Sequence, residues 1–140
     1  MRYSNIFISL FLACFISSCD ILEKKEGKSL PGTETAIVGL YIDKDGYPQA
    51  NVEKVKVFPG QKIIFAGPDN FEILFKDQKS PTGRFEALSE NGIVVIEIPR
   101  DIFESEQRQT KTTDIKELVY NYGIRANGKV TDPQIIVGQR

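Results

Sequence analysis

The chain is 140 residues long, with 18 basic and 19 acidic side chains and a net charge of −1, so it carries no electrostatic footprint for nucleic acid. It holds no histidine, two cysteines and one methionine. That composition excludes zinc sites built from Cys and His and nucleophilic sites of the Ser-His-Asp or Cys-His type, while a hydrolase using two carboxylates or a Ser–Lys pair stays open.

The first element is an address. Met1 to Asn5 is polar and carries Arg2, and Ile6 to Ile16 then reads IFISLFLACFI, followed by Ser17, Ser18 and Cys19. A basic start, a short apolar run and a small-residue cleavage site make a secretory signal peptide. The run is shorter than the roughly 20 apolar residues a membrane span needs. Ile16-Ser17-Ser18-Cys19 resembles the lipobox of bacterial lipoproteins. The resemblance implies cleavage before Cys19 and acylation of its sulfur and new amino terminus, which makes the membrane a partner through the lipid. Two or three chains at about 0.8 kcal/mol per buried CH₂ give a stable anchor. Asp20 resembles an inner-membrane retention signal and leans the address that way on the periplasmic side. Residues 1–18 are therefore the signal peptide. Residues 19–34 form a lipidated tether, charged and broken by Gly27, Pro31 and Gly32, with a coil span of about 20 Å. Residues 35–140 form the folded domain.

That domain reads as strands. Ala36–Ile42 is closed by the Asp43-Lys44-Asp45-Gly46 turn. Val52–Phe58 places Val55 and Val57 on one face, and Pro59-Gly60 turns the chain. Lys62–Ala66 follows, then Phe71–Lys76, with Phe71, Ile73 and Phe75 on one face. Ser80–Arg84 is a loop. Ile93–Ile98 is nearly all apolar, as a strand buried on both faces would be. Asp101–Gln107 is a short helix, with Asp101 and Glu104 at capping-box spacing, and Arg108–Thr113 is a polar loop. Leu118–Arg125 sets Leu118, Tyr120, Tyr122 and Ile124 on one face. Asn127-Gly128 is a hairpin turn, and the return strand begins at Val130 and ends with Ile135–Val137. Aromatic residues at strand spacing are assigned to the core. The expectation is an all-β sandwich of about seven or eight strands with one short helix.

Two segments together resemble a cupredoxin. Val55–Phe75, VKVFPGQKIIFAGPDNFEILF, is similar to the family's strand, Pro-Gly turn, strand, polar loop, and strand opening at the first copper histidine. Tyr120–Val137, YNYGIRANGKVTDPQIIV, is similar to the final hairpin, where a Tyr-x-aromatic strand leads to the remaining ligands. The resemblance implies a Greek-key, cupredoxin-like sandwich. Blue-copper sites use two His, one Cys and a weak Met. Here the first-histidine position matches Phe71 and the cysteine position Ile124, and the shortened loop Arg125–Lys129 holds neither His nor Met. The domain is expected to hold no metal and no cofactor. An immunoglobulin-like structural accessory module is the competing architecture.

The functional expectation is a noncatalytic, membrane-anchored module that binds an envelope protein or a small ligand. Its site is expected at the loop end where a cupredoxin keeps its metal, with Asp69, Asn70, Phe71, Arg125 and Asn127 as contacts. A carboxylate- or Ser/Lys-based hydrolase is the enzymatic alternative. Asp43-Lys44-Asp45-Gly46 departs from a calcium loop at Tyr47 and Lys54 and reads as a plain turn. Cys19→Ser is expected to abolish [³H]palmitate labelling of the chain in cells; unchanged labelling would overturn the anchor.

Overall fold

The computed structural model describes residues 27–28, 35–76 and 79–139. The expected signal peptide, Cys19, Asp20 and most of the expected tether lie outside the described residues. Among the described residues eleven strands and one helix follow in chain order: β1 (Gly27–Lys28), β2 (Thr35–Ile42), β3 (Pro48–Ala50), β4 (Lys54–Val57), β5 (Lys62–Ala66), β6 (Glu72–Phe75), β7 (Glu86–Leu88), β8 (Ile93–Glu97), α1 (Ile102–Thr110), β9 (Glu117–Ala126), β10 (Lys129–Thr131) and β11 (Gln134–Gly138). They form an all-β sandwich. The larger sheet has the order β1-β4-β11-β9-β6-β7, with β10 on β9, and the smaller has β3-β2-β5-β8. Most pairs are antiparallel, but β1–β4, β4–β11 and β2–β5 are parallel.

Alternation builds the core. Val38, Ile63, Phe65, Val94 and Ile96 point inward from the smaller sheet; Val55, Val57, Ile73, Phe75, Tyr122, Ile124, Ile135 and Val137 meet them from the larger one. Phe65 and Tyr122 cross the layers edge to face, with ring centroids 5.3 Å apart. Phe71, Phe103 and Tyr120 are buried as expected, whereas Tyr41, Tyr47 and Phe85 are exposed.

Several local readings need correction. Ile93–Ile98 is not buried on both faces: Val94, Ile96 and Ile98 are buried, while Ile93, Val95 and Glu97 are exposed. No described layer covers the outer face of β8, a fact that apolar periodicity cannot encode. The strands β1, β3 and β7 were not anticipated, because two or three residues are too few to show a period; β1 falls within the stretch read as tether and pairs with β4. The helix starts one residue later than expected and extends through Thr110, taking up part of the predicted loop. The Asp101 side chain makes no capping bond, and Ile102 and Phe103 instead fasten the first turn to the core. At the other end Lys111 adopts the left-handed conformation, φ 56°, and stops the helix.

One buried polar atom stands out. The Tyr122 hydroxyl has no hydrogen-bond partner among the described residues, and burial pushes its pKa up. An unsatisfied buried hydroxyl costs about 1–3 kcal/mol. Tyr122→Phe keeps the ring contact with Phe65 and removes that oxygen, so it is expected to leave stability unchanged or raise it by about 1 kcal/mol in urea unfolding. A loss of stability would mean that the hydroxyl is satisfied.

Candidate functional site

The larger sheet places the two sequence-distant loops side by side. β6 and β9 are antiparallel, with Glu72 opposite Arg125 and Ile73 opposite Ile124. The start of β6 therefore lies beside the end of β9. Asn127 and Gly128 turn the β9–β10 hairpin with φ 51° and 74°, which an Asn-Gly pair adopts readily. On the other flank the Phe71 N–H donates to Ser89 Oγ at 2.9 Å, and Ser89 Oγ donates to the Asp69 carbonyl at 3.2 Å.

Between these loops lies a pocket of about 390 Å³, lined by Asn70, Phe71, Glu72, Leu88, Ser89 and the Arg125–Gly128 turn. Four of the expected contacts, Asn70, Phe71, Arg125 and Asn127, meet in this one concavity. Asp69 is not among its lining residues; its backbone carbonyl instead accepts bonds from Ser89 Oγ and the Gly92 N–H. Arg125 Nη1 donates to Glu72 Oε2 at 2.9 Å, a contact invisible in sequence because 53 positions separate the pair. Glu72, the exposed Leu88 and Ser89 are the lining residues that sequence reasoning missed. The alternation of β6 put Glu72 on the outward face, but its proximity to Arg125, and that of Leu88 on β7, depends on which strands flank β6.

The interior beneath the pocket is apolar. Phe71, Ile73, Ile124 and Ala126 are all buried. The two positions that the cupredoxin resemblance assigns to a histidine and a cysteine carry a phenyl ring and an alkyl chain, with no lone pair for a metal. Copper does not fit these residues. Among the described residues no group of three or more His, Cys, Asp or Glu side chains could hold a metal ion.

The outer surface of the larger sheet is stitched by ions that bridge over glycines. Lys76 reaches Asp132 at 2.6 Å across Gly123, where an added Cβ would stand 3.0 Å from Val130 Cγ1. Lys56 reaches Glu117 at 3.1 Å across Gly138 by the same device. The β2–β3 turn docks on the hairpin as well: Lys129 donates to the Asp45 carbonyl, and its ammonium sits 4.3 Å from the centroid of the Tyr47 ring.

Two further hollows bear on catalysis. One, of about 310 Å³, is lined by Glu86 and Glu97 with Ser80 and Arg84, but both carboxylates are exposed and Glu97 faces Lys62 at 3.9 Å. The other contains Lys79, Ser80 and Ser105 beside Tyr120, whose pKa burial and Glu106 raise to about 12. Lys79 is exposed and lies over the Phe85 ring.

Fold and site together define a β-sandwich with a surface pocket at one end of its larger sheet. No protein-family model matches the chain, and no curated protein matches it. No helix among the described residues is long and apolar enough to cross a membrane.

Two expectations follow. The Arg125–Glu72 pair is solvent-exposed, so Glu72→Gln is expected to change unfolding stability by less than about 1 kcal/mol; a larger loss would make the pair structural. Asp43 Oδ1 accepts the Tyr47 N–H at 2.8 Å, which holds its carboxyl below the ordinary value of 3.8, helped by Gln49, the Asp45 N–H and Lys129. A lowered carboxyl stabilises the turn above the ordinary value, and that contribution is lost as pH falls through the lowered one. Amide NMR signals of Asp45 and Tyr47 should therefore titrate with a midpoint below 3.8; a midpoint at or above it would refute the bonded turn.

Proposed function

We propose that this chain is a membrane-anchored lipoprotein whose noncatalytic, copper-free, cupredoxin-like domain binds an envelope protein or a small ligand at the Asn70–Arg125 pocket. The observation that carries the reading is the convergence of Asn70, Phe71, Arg125 and Asn127 on one concavity from loops more than fifty residues apart. Its size falls within the roughly 300–1,000 Å³ range of small-molecule sites. Its polar groups, the Arg125–Glu72 pair and two asparagines, offer donors and acceptors to a partner.

The cupredoxin-like reading draws support from topology. An immunoglobulin sandwich is built of two antiparallel sheets, whereas parallel pairs β4–β11 and β2–β5 lie within both sheets here. The noncatalytic reading rests on residue chemistry: the chain lacks histidine, and no described lysine is buried as a Ser–Lys mechanism needs. The anchored reading rests on the lipobox at Cys19.

A photo-crosslinking residue at Asn127, used in living cells and followed by mass spectrometry, should capture one dominant partner. Arg125→Glu places two carboxylates together and is expected to lower that capture about tenfold or more. Equal capture by the variant, or the same adducts from a crosslinker at Val119 on the same sheet away from the pocket, would remove the pocket from the function.

A further inference from the structure

The outer face of the smaller sheet is largely apolar, with the Asn51 side chain laid over Gly39 and the Lys62–Glu97 pair at one end. Parallel pairing of β2 with β5 and antiparallel pairing of β5 with β8 align Ile37, Ile64 and Val95 in one row and Gly39, Ala66 and Ile93 in the next. Tyr41 continues the face along β2. Ile37 is 68% exposed, Val95 55%, Tyr41 52% and Ile93 47%, half of the exposed large apolar side chains among the described residues. A contiguous apolar patch of this kind marks an interaction surface. The opposite face of the sandwich is its chemical inverse, crossed by the Glu72–Arg125, Lys76–Asp132 and Lys56–Glu117 ion pairs.

We propose that this apolar face rests on the lipid surface, a second membrane contact beside the acyl anchor. The proposal rests on the anchored reading of Cys19. Seven residues, Asp20 to Glu26, separate that cysteine from Gly27, which is already paired to β4 on the domain. Seven residues span at most about 25 Å, so the anchor keeps the domain against the bilayer. The smaller sheet's face carries one ion pair, Lys62–Glu97 at its end, against three across the larger sheet's, so it meets acyl chains at the lower desolvation cost. Its rim suits the interface. Tyr41 stands at one end, where an aromatic ring prefers the headgroup level, and at the other Lys62 can carry its charge outward beside Glu97, 3.9 Å away.

A second copy is the weaker occupant. Three strands about 4.8 Å apart and five residues long give a footprint of only a few hundred Å², against the roughly 800 Å² per partner of a standard interface. The face has no excess of either charge, so its contact with lipid should depend little on anionic lipid or salt. With this face down, the Arg125 pocket on the other sheet is turned away from the bilayer, open to an envelope partner.

The test uses the full-length lipoprotein reconstituted into phosphatidylcholine vesicles, with an environment-sensitive fluorophore on single cysteines at Ile37→Cys, Val95→Cys and, on the opposite face, Val119→Cys. The first two are expected to show blue-shifted emission, quenching by lipid-borne quenchers and several-fold less quenching by iodide, and the third none of these. Flotation with the vesicles but equal iodide quenching at all three sites would overturn the resting face and leave the anchor standing. Failure to float would overturn both. A blue shift that grows with the number of copies per vesicle would overturn the lipid contact in favour of a second copy.

Discussion

Strand β9 is the constraint on which the rest of the molecule depends. Its ten residues hold β11 through Glu117–Asn121, β6 through Tyr122–Arg125 and β10 through Ile124–Ala126. Because side chains alternate, the same strand sends Tyr120, Tyr122 and Ile124 into the core and Arg125 to the surface. A one-residue slip would bury Arg125 and expose Tyr122. The Tyr122–Phe65 contact then ties that register to the other sheet. Pocket geometry is thus a consequence of core packing: Arg125 stands opposite Glu72 because Ile124 stands opposite Ile73.

Packing also explains where the pocket sits. Phe71 and Ile124 fill the end of the sandwich, so the cavity forms over the sheet's outer surface. Gly123 and Gly138 keep that surface low enough for lysines to lie across it and reach acids beyond the neighbouring strand. Each pair is exposed and contributes little stability singly. Their effect is to make one face of the sandwich polar and fixed in shape, while the face formed by β2, β5 and β8 stays largely apolar. In the proposed arrangement these faces divide the labour, one toward lipid and one toward a partner.

Much of this was legible in the sequence where period and turn chemistry agree. Lys62–Ala66 and the Asn127-Gly128 hairpin are read directly, because alternation and positive φ are local properties. Asn70, Phe71, Arg125 and Asn127 were expected at one loop end, and all four line one pocket. Asp69 does not line the pocket, since its carbonyl is taken up by Ser89 Oγ and the Gly92 N–H, bonds between residues about twenty positions apart. Three-residue strands such as Glu86–Leu88 leave no periodic trace, and their pairing is decided by the edge of β6 that receives them.

The sequence by itself determined the alternation of the strands, the turns between them and the absence of imidazole, since each follows from residue identity and from neighbours in the chain. Only the tertiary structure decided that Glu72 partners Arg125 and that, among the described residues, Tyr122 buries its hydroxyl unpaired and Ile37, Ile64 and Val95 share one uncovered row. The physical reason is the same in each case. An alternating strand specifies two faces, but which neighbour each face meets, or whether it meets only solvent, depends on strand order and layering, and those are set by contacts between residues far apart in the chain.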